Sequence, residues 1–215
     1  WMAAAPVSPE LLRWFAAIGV PLLEGYGATE TSGVASINTS DDNNIGTVGK
    51  PMPHTEIKIA DSGEILIKGG NVFKGYWNMP EKTAEDMRAD GFFITGDLGV
   101  QDAEGYVTIV GRGKDLIISG GYNIYPKELE LLLDAQDGVL ESAVIGVPHA
   151  DLGEVPLAVL VPQPGAEIDL EAVKTAVGAA LARFKQPREY RVLEALPRNT
   201  MGKVQKVALR AEFGE

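Results

Sequence analysis

The pattern of residues changes at Gly111-Arg112-Gly113-Lys114, and this change limits the fold more than any other feature of the chain. Before it, Thr55-Glu56-Ile57-Lys58-Ile59 alternates polar and apolar residues. Glu64-Ile65-Leu66-Ile67-Lys68 does so more loosely, and Tyr106-Val107-Thr108-Ile109-Val110 is a third β-rich run. Period-two alternation with β-branched residues marks strands, and Asp61-Ser62-Gly63 and Asp102-Ala103-Glu104-Gly105 supply turns beside them. A small, mostly antiparallel β subdomain is expected over about 45–110, with a short helix from Pro80 to Met87 inserted in it. After the break the period lengthens. A helix begins near Pro126 with Leu129, Leu132 and Leu133 as its apolar stripe, and Ile168 to Phe184 repeats Leu170, Val173, Val177 and Leu181 at helical spacing. Strands at 141–147, 155–161 and 191–193 and a last helix at 204–213 complete an α+β unit of about 100 residues, enough for an independent domain.

The N-terminal stretch reads as an α/β piece. Ser8 is placed to cap a helix with Pro9 at its first position, running to about Ile18. Val20-Pro21-Leu22-Leu23 then reads as a short strand ending in Gly25-Tyr26-Gly27-Ala28-Thr29-Glu30-Thr31. Ser36 to Asn44 is polar and reads as a mobile loop. The chain opens on Trp1 and enters a helix within a few residues, which reads as a piece of something longer.

Composition narrows the function classes. The 215 residues hold 19 Lys and Arg against 30 Asp and Glu, a net charge of −11, which argues against a protein that coats nucleic acid. Hydrophobic residues at 45% and charged residues at 23% match a globular chain rather than a disordered one. No apolar run is long enough to span a bilayer. The absence of cysteine excludes disulfides, thiolate zinc sites and a cysteine nucleophile, and fits a reducing, cytoplasmic setting.

Four short stretches carry chemistry. In Gly25-Tyr26-Gly27-Ala28-Thr29-Glu30-Thr31 the glycines let backbone approach a ligand, Tyr26 offers a ring, Thr29 a hydroxyl and Glu30 a hard oxygen of the kind Mg²⁺ prefers. A plain surface turn fits the same residues. In Thr95-Gly96-Asp97, an Asp at the end of a short strand suits ribose hydroxyls, and a simple Asp turn suits it equally. Gly111-Arg112-Gly113-Lys114-Asp115, followed by Ser119-Gly120-Gly121-Tyr122-Asn123, offers Arg112 for a phosphate or ribose oxygen; its glycines fit either a hinge or a flexible linker. In Pro197-Arg198-Asn199-Thr200-Met201-Gly202-Lys203-Val204-Gln205-Lys206, a Lys in a Gly-containing loop at a helix start can approach developing phosphate charge, or be a solvated surface cation.

Taken in order, these stretches with Gly63-Glu64-Ile65-Leu66-Ile67-Lys68-Gly69 and Gly75-Tyr76-Trp77 resemble the C-terminal part of the acyl-adenylate-forming synthetases. That family includes acyl-CoA synthetases, luciferases and nonribosomal adenylation domains. Asn71-Val72-Phe73-Lys74-Gly75-Tyr76-Trp77 and Gly202-Lys203-Val204-Gln205-Lys206 look most like malonyl-CoA and medium- or long-chain fatty acyl-CoA synthetases. The resemblance implies the end of a large AMP-binding domain over 1–112, a small C-terminal lid domain over 113–215, and the rest of the large domain upstream. It implies a carboxylic acid substrate with ATP, Mg²⁺ and coenzyme A. Glu30 would bind Mg²⁺ and Thr29 the phosphate; Gly25, Tyr26 and Gly27 would border the nucleotide. Tyr26 would stack on adenine, with Ala4, Ala5 and Pro6 nearby, and Asp97 and Arg112 would hold the ribose. Lys203 would bridge the α-phosphate and the acid, Lys114 would be the hinge, and Gly120 and Gly121 would line the pantetheine channel. Acetylation of Lys203 would remove the charge that adenylation needs. Ala28 stands where the family commonly has Leu or Met, and Gly70 where Pro is common; the usual upstream phosphate loop is absent from these residues. Two alternatives stand beside an acyl-CoA-forming ligase: a non-catalytic binding module that keeps the AMP- and CoA-facing surfaces, and a peptide-synthetase adenylation domain.

Overall fold

The computed structural model describes residues 2, 7–200 and 202–214, and the expectation for Ala4, Ala5 and Pro6 lies outside them. The chain divides into two compact units, Trp1–Gly113 and Lys114–Glu215. Among the described residues no helix is long and apolar enough to cross a membrane.

The first unit begins with helix α1 (Pro9–Ala17). Ser8 caps it, its hydroxyl accepting from Leu11 N at 3.2 Å, and Gly19 follows its end with φ of +81°. The expected strand over Val20–Leu23 does not form. This segment is extended, with Leu23 O accepting from Met2 N at 2.7 Å and Glu24 making an isolated parallel bridge to Met2. Pro21 has no N–H to give to a ladder, and a single bridge is too little pairing for a strand. Strands β1 (Gly25–Tyr26), β2 (Ser36–Ile37) and β3 (Lys50–Pro51) make a small antiparallel sheet.

The polar stretch from Ser36 to Asn44 is built rather than loose. Asn38 is fully buried, its Nδ2 donating to Thr47 O at 2.7 Å and its Oδ1 accepting from Asn44 N at 3.0 Å. Side-chain amides can replace a backbone ladder in this way, which polar composition alone does not reveal. Asp42 is held further by Lys50 at 2.8 Å and by the Tyr106 hydroxyl.

The β subdomain is a four-stranded antiparallel meander of β4 (Thr55–Ile59), β5 (Glu64–Gly69), β6 (Phe93–Gln101) and β7 (Val107–Arg112). Helix α2 (Pro80–Asp86) lies between β5 and β6 in the chain. Ile57 pairs with Ile67, and these two join Ile65, Val107 and Ala35 in the core. Asp97 sits in the middle of the nine-residue strand β6, not at the end of a short one. Gly96 at φ of +71° and a register shift between Leu98 and Gly99 break the alternation, so the sequence reads there as a turn.

The second unit carries β8 (Ile117–Ser119), β9 (Tyr122–Ile124), α3 (Pro126–Asp134), β10 (Val139–His149), β11 (Gly153–Pro162), α4 (Leu170–Ala180), β12 (Glu189–Val192) and α5 (Lys206–Phe213). Its sheet has five strands rather than the expected two or three: a long β10–β11 antiparallel hairpin, β12 parallel to β11, and the β8–β9 hairpin joined through Ser119 and Gly153. Ala158 and Leu160 of β11 point into one core with Leu129 and Leu133 of α3 and Val173 and Val177 of α4. The alternate residues Val155, Leu157, Val159 and Val161 point into another with Leu209 of α5. Both sheet faces are covered, so β10 and β11 read as continuous apolar runs instead of alternating ones. Helix α4 starts at the Asp169 cap and ends at Ala180, short of the expected Phe184; α5 starts at Lys206 rather than Val204, leaving Lys203 in the preceding loop.

Candidate active site

In the first unit strand register gathers three of the expected residues. Asp97 and Arg112 are cross-strand partners on β6 and β7, and Arg112 Nε lies 2.8 Å from Asp97 Oδ1. Tyr26 at the end of β1 donates its hydroxyl to Asp97 Oδ2 at 2.6 Å. Thr95 Oγ1 accepts from Asp97 N at 3.1 Å and donates to Ile65 O at 2.8 Å, fixing the backbone beneath the carboxylate. Burial, and then the adjacent Asp97 charge, push the Tyr26 phenol above its ordinary value of 10.0, so it remains a donor. Asp97 is 8% exposed, whereas the Arg112 side chain is 55% exposed. Each carboxylate oxygen therefore has one protein donor and spare accepting capacity, while the guanidinium keeps N–H groups directed to solvent.

The Gly25–Thr31 stretch is a tight fold. A Cβ on Gly27 would lie 2.4 Å from Gly33 O, so only glycine fits that position. Residues Thr29–Thr31 form a 3-10 turn. Thr31, fully buried, accepts from Ala28 N at 2.9 Å and donates to Ala28 O at 3.1 Å. This anchor leaves Thr29 exposed and Glu30 half-buried at the rim.

Residues 71–76 lie as a strap against this turn. Phe73 N donates to Glu30 O at 2.8 Å, Ser32 Oγ donates to Asn71 O at 2.8 Å, and Asn71 Nδ2 donates to Val34 O at 3.0 Å. The Tyr76 hydroxyl lies 3.0 Å from Glu30 Oε1 and 3.0 Å from Asp86 Oδ2, and Lys82 Nζ lies 2.8 Å from Asp86 Oδ1. Burial and then the Asp86 and Glu30 carboxylates push the Tyr76 phenol above its ordinary value. Sequence reasoning missed this link. It joins residues 46 apart, and the only signal was that the 71–77 run resembles one branch of a family.

The second unit holds the other expected residues. Lys114 lies in a 3-10 turn, Gly113–Asp115, at the boundary of the units, and Arg210 of α5 holds Asp115 at 3.0 Å. Gly120 and Gly121, at φ of +56° and +84°, make the two-residue turn between the paired residues Ser119 and Tyr122. Two successive positive φ values are the signature of a type I′ hairpin turn. Gly120 N donates to Leu152 O at 2.8 Å, and the Tyr122 and Phe184 rings stack 4.6 Å apart beside the turn.

The Lys203 loop is fixed by its backbone. Lys203 N donates to Asn199 Oδ1 at 2.9 Å, and Asn199 N donates to Lys203 O at 3.0 Å. Arg198 donates to Gly202 O at 2.6 Å and pairs with Glu141. At the start of α5, Lys206 is half-buried against Glu130 at 2.5 Å, and the same Glu130 oxygen accepts from Val144 N. The Lys203 ammonium has no ion-pair partner among the described residues and faces solvent, in contrast to Lys206.

Stretches of both units match families of known proteins. Residues 1–77 match the model of the AMP-binding enzyme family, and residues 128–203 match that of the AMP-binding enzyme C-terminal domain. The chain is 47% identical over 193 residues to a 3-[(3aS,4S,7aS)-7a-methyl-1,5-dioxo-octahydro-1H-inden-4-yl]propanoyl:CoA ligase of Rhodococcus jostii, covering 89% of this chain and 38% of the relative. It is 40% identical over 226 residues to a long-chain-fatty-acid–CoA ligase of Bacillus subtilis, covering 99% of this chain and 40% of the relative. The crystal structure of ATP-bound MatB from Rhodopseudomonas palustris superposes with a TM-score of 0.92 at 48% identity, over 99% of this chain and 45% of that one. The chain thus spans less than half the length of these relatives. With both family models matched in order and these similarities running over most of its length, the chain belongs to the AMP-binding enzyme family.

Proposed function

We propose that the chain is the AMP-handling and thiol-handling portion of an acid–thiol ligase that makes an acyl-CoA through an acyl-adenylate. The observation that carries this reading is the Tyr26–Asp97–Arg112 array, a buried carboxylate beside a half-exposed guanidinium, in a chain similar to CoA ligases. Asp97 would accept the ribose hydroxyls and Arg112 would donate to ribose or phosphate oxygen. In the first step a carboxylate oxygen attacks the α-phosphorus of ATP, an O–P bond forms, and the bond to pyrophosphate breaks. Both reactants are anions, so a cation between them lowers the barrier. Lys203, on a fixed loop with a solvent-facing ammonium, fits that task, and Thr29 would donate to a phosphate oxygen.

Mg²⁺ would be held by Glu30. No group of three or more Asp, Glu or His side chains placed to hold a metal ion occurs among the described residues, and one carboxylate suits a cation whose other ligands are phosphates and water. When bound, the ion supplies positive charge to the phosphates. In the second step the CoA sulfur attacks the acyl carbon, a C–S bond forms, the bond to AMP breaks, and the thiol proton passes to solvent. The Gly120-Gly121 turn would line the pantetheine channel. Lys114 would be the hinge between the end of the large domain, 1–112, and a lid, 113–215. A cytoplasmic setting supplies ATP and reduced CoA together.

Product analysis tests the reading. The intact protein with ATP, Mg²⁺, CoA and an acid is expected to release AMP and acyl-CoA in equal amounts. Long-chain fatty acids, malonate and the bicyclic propanoate named by the first relative are the acids to try first. Formation of ADP, or transfer only to a carrier protein, would overturn it.

A further inference from the structure

The strap residue Tyr76 has one proton and two carboxylates within reach, Glu30 Oε1 and Asp86 Oδ2, both at 3.0 Å. A phenol hydroxyl donates a single hydrogen bond, so the two acceptors compete for it. Asp86 already has a cation, since Lys82 Nζ sits 2.8 Å from its other oxygen on the same helix turn. That pairing lowers its pull on the proton, whereas Glu30 has no cationic partner among the described residues. The Tyr76 ring is fixed independently of either acid. It packs edge-to-face with Phe73, ring centroids 4.7 Å apart, and its backbone N–H donates to Thr83 Oγ1 at 2.9 Å.

We propose that Tyr76 is the positioning residue for Glu30: its hydroxyl holds the carboxylate at the rim of the Thr29–Thr31 turn with one oxygen engaged and the other open. This rests on the reading of Glu30 as the Mg²⁺-facing group. Lys82 and Asp86 belong to the same device, because the ion pair between them leaves the Tyr76 proton to Glu30. A carboxylate held by one donor loses less rotamer freedom when it meets a cation, so the geometry is prepared before the ion arrives. The run Asn71–Trp77 thereby acquires a role beyond packing: it is the brace of the Glu30 carboxylate.

The test uses Tyr76→Phe in the intact protein, which keeps the ring and loses only the hydroxyl. Mn²⁺ binding in the presence of ATP is followed by its EPR spectrum, and AMP binding is measured in chelator without metal. The expected result is a Mn²⁺ affinity weaker by about tenfold to a hundredfold, in line with losing a hydrogen bond to a charged group that orients a metal ligand, with metal-free AMP affinity unchanged. In a Glu30→Gln background the Tyr76→Phe change is expected to have no further effect on Mn²⁺ affinity, because the two act as a unit. Unchanged Mn²⁺ affinity in Tyr76→Phe, an equal loss of metal-free AMP binding, or additive losses in the double variant would each overturn the proposal. Should Glu30→Gln alone leave Mn²⁺ affinity untouched, the Mg²⁺ reading of Glu30 itself fails; Tyr76→Phe failing while Glu30→Gln responds removes only the role of Tyr76.

Discussion

Among single residues, Glu24 shows how one buried group sets a pH dependence. It precedes the Gly25–Thr31 stretch, is 9% exposed, and its Oε2 has no hydrogen-bond partner among the described residues. Burial raises its carboxyl above the ordinary value of 4.5, opposed by the backbone N–H groups of Gly46 and Val7. Below pH 4.5 the group is protonated both folded and unfolded, so it imposes no penalty on folding. As pH rises past 4.5 the unfolded chain ionises first, and the folded state loses stability until Glu24 ionises there too. Glu24→Gln removes the charge and should raise the melting temperature at pH 8 but not at pH 4. Equal effects at both pH values would show that burial of the charge is not the cause. Asp97 is the contrasting case, a buried carboxylate with a donor on each oxygen. Its chemistry was legible from Thr95-Gly96-Asp97, but its partners Tyr26 and Arg112 came together only through strand register.

At the scale of elements, the second unit depends on covering both faces of one sheet. Leu133 of α3 and Leu209 of α5 are each fully buried, on opposite faces of β10–β11. Leu209→Ala should cost about 3 kcal/mol in denaturant unfolding, with Leu133→Ala similar, because each leaves a cavity against the sheet. A loss under about 1 kcal/mol for Leu209→Ala would mean that α5 is not a packed layer. The helices were legible because Leu129, Leu133, Val173 and Val177 recur at helical spacing, and Ser8 announces the start of α1. Strand β6 was not, because Gly96, Gly99 and a bulge interrupt its alternation. The β8–β9 hairpin was hidden for a related reason. Its Gly-Gly turn reads equally as a ligand loop, and three-residue strands carry almost no periodicity. Around Asn38 buried amide bonds impose order on a composition that otherwise predicts a loop.

For the whole molecule, the break at Gly111–Lys114 that dominates the sequence falls where the two compact units meet, Gly113 ending one and Lys114 beginning the other. Tyr26, Asp97, Arg112, Thr29, Glu30 and the Tyr76 brace belong to the first unit; the Gly120-Gly121 turn and the Lys203 loop belong to the second. A net charge of −11 is compatible with an anionic substrate, because local cations such as Arg112 and Lys203 set the field at a site. The role proposed for Lys203, from the second unit, lies in the adenylate-forming step. It is tested most directly by acid-dependent ATP–pyrophosphate exchange in the intact Lys203→Ala protein, beside thioester formation from supplied acyl-adenylate and CoA. Exchange is expected to fall at least about a hundredfold, the effect of removing one charge-stabilising group, with thioester formation retained. Exchange at the wild-type rate, or equal loss of both half-reactions, would contradict it.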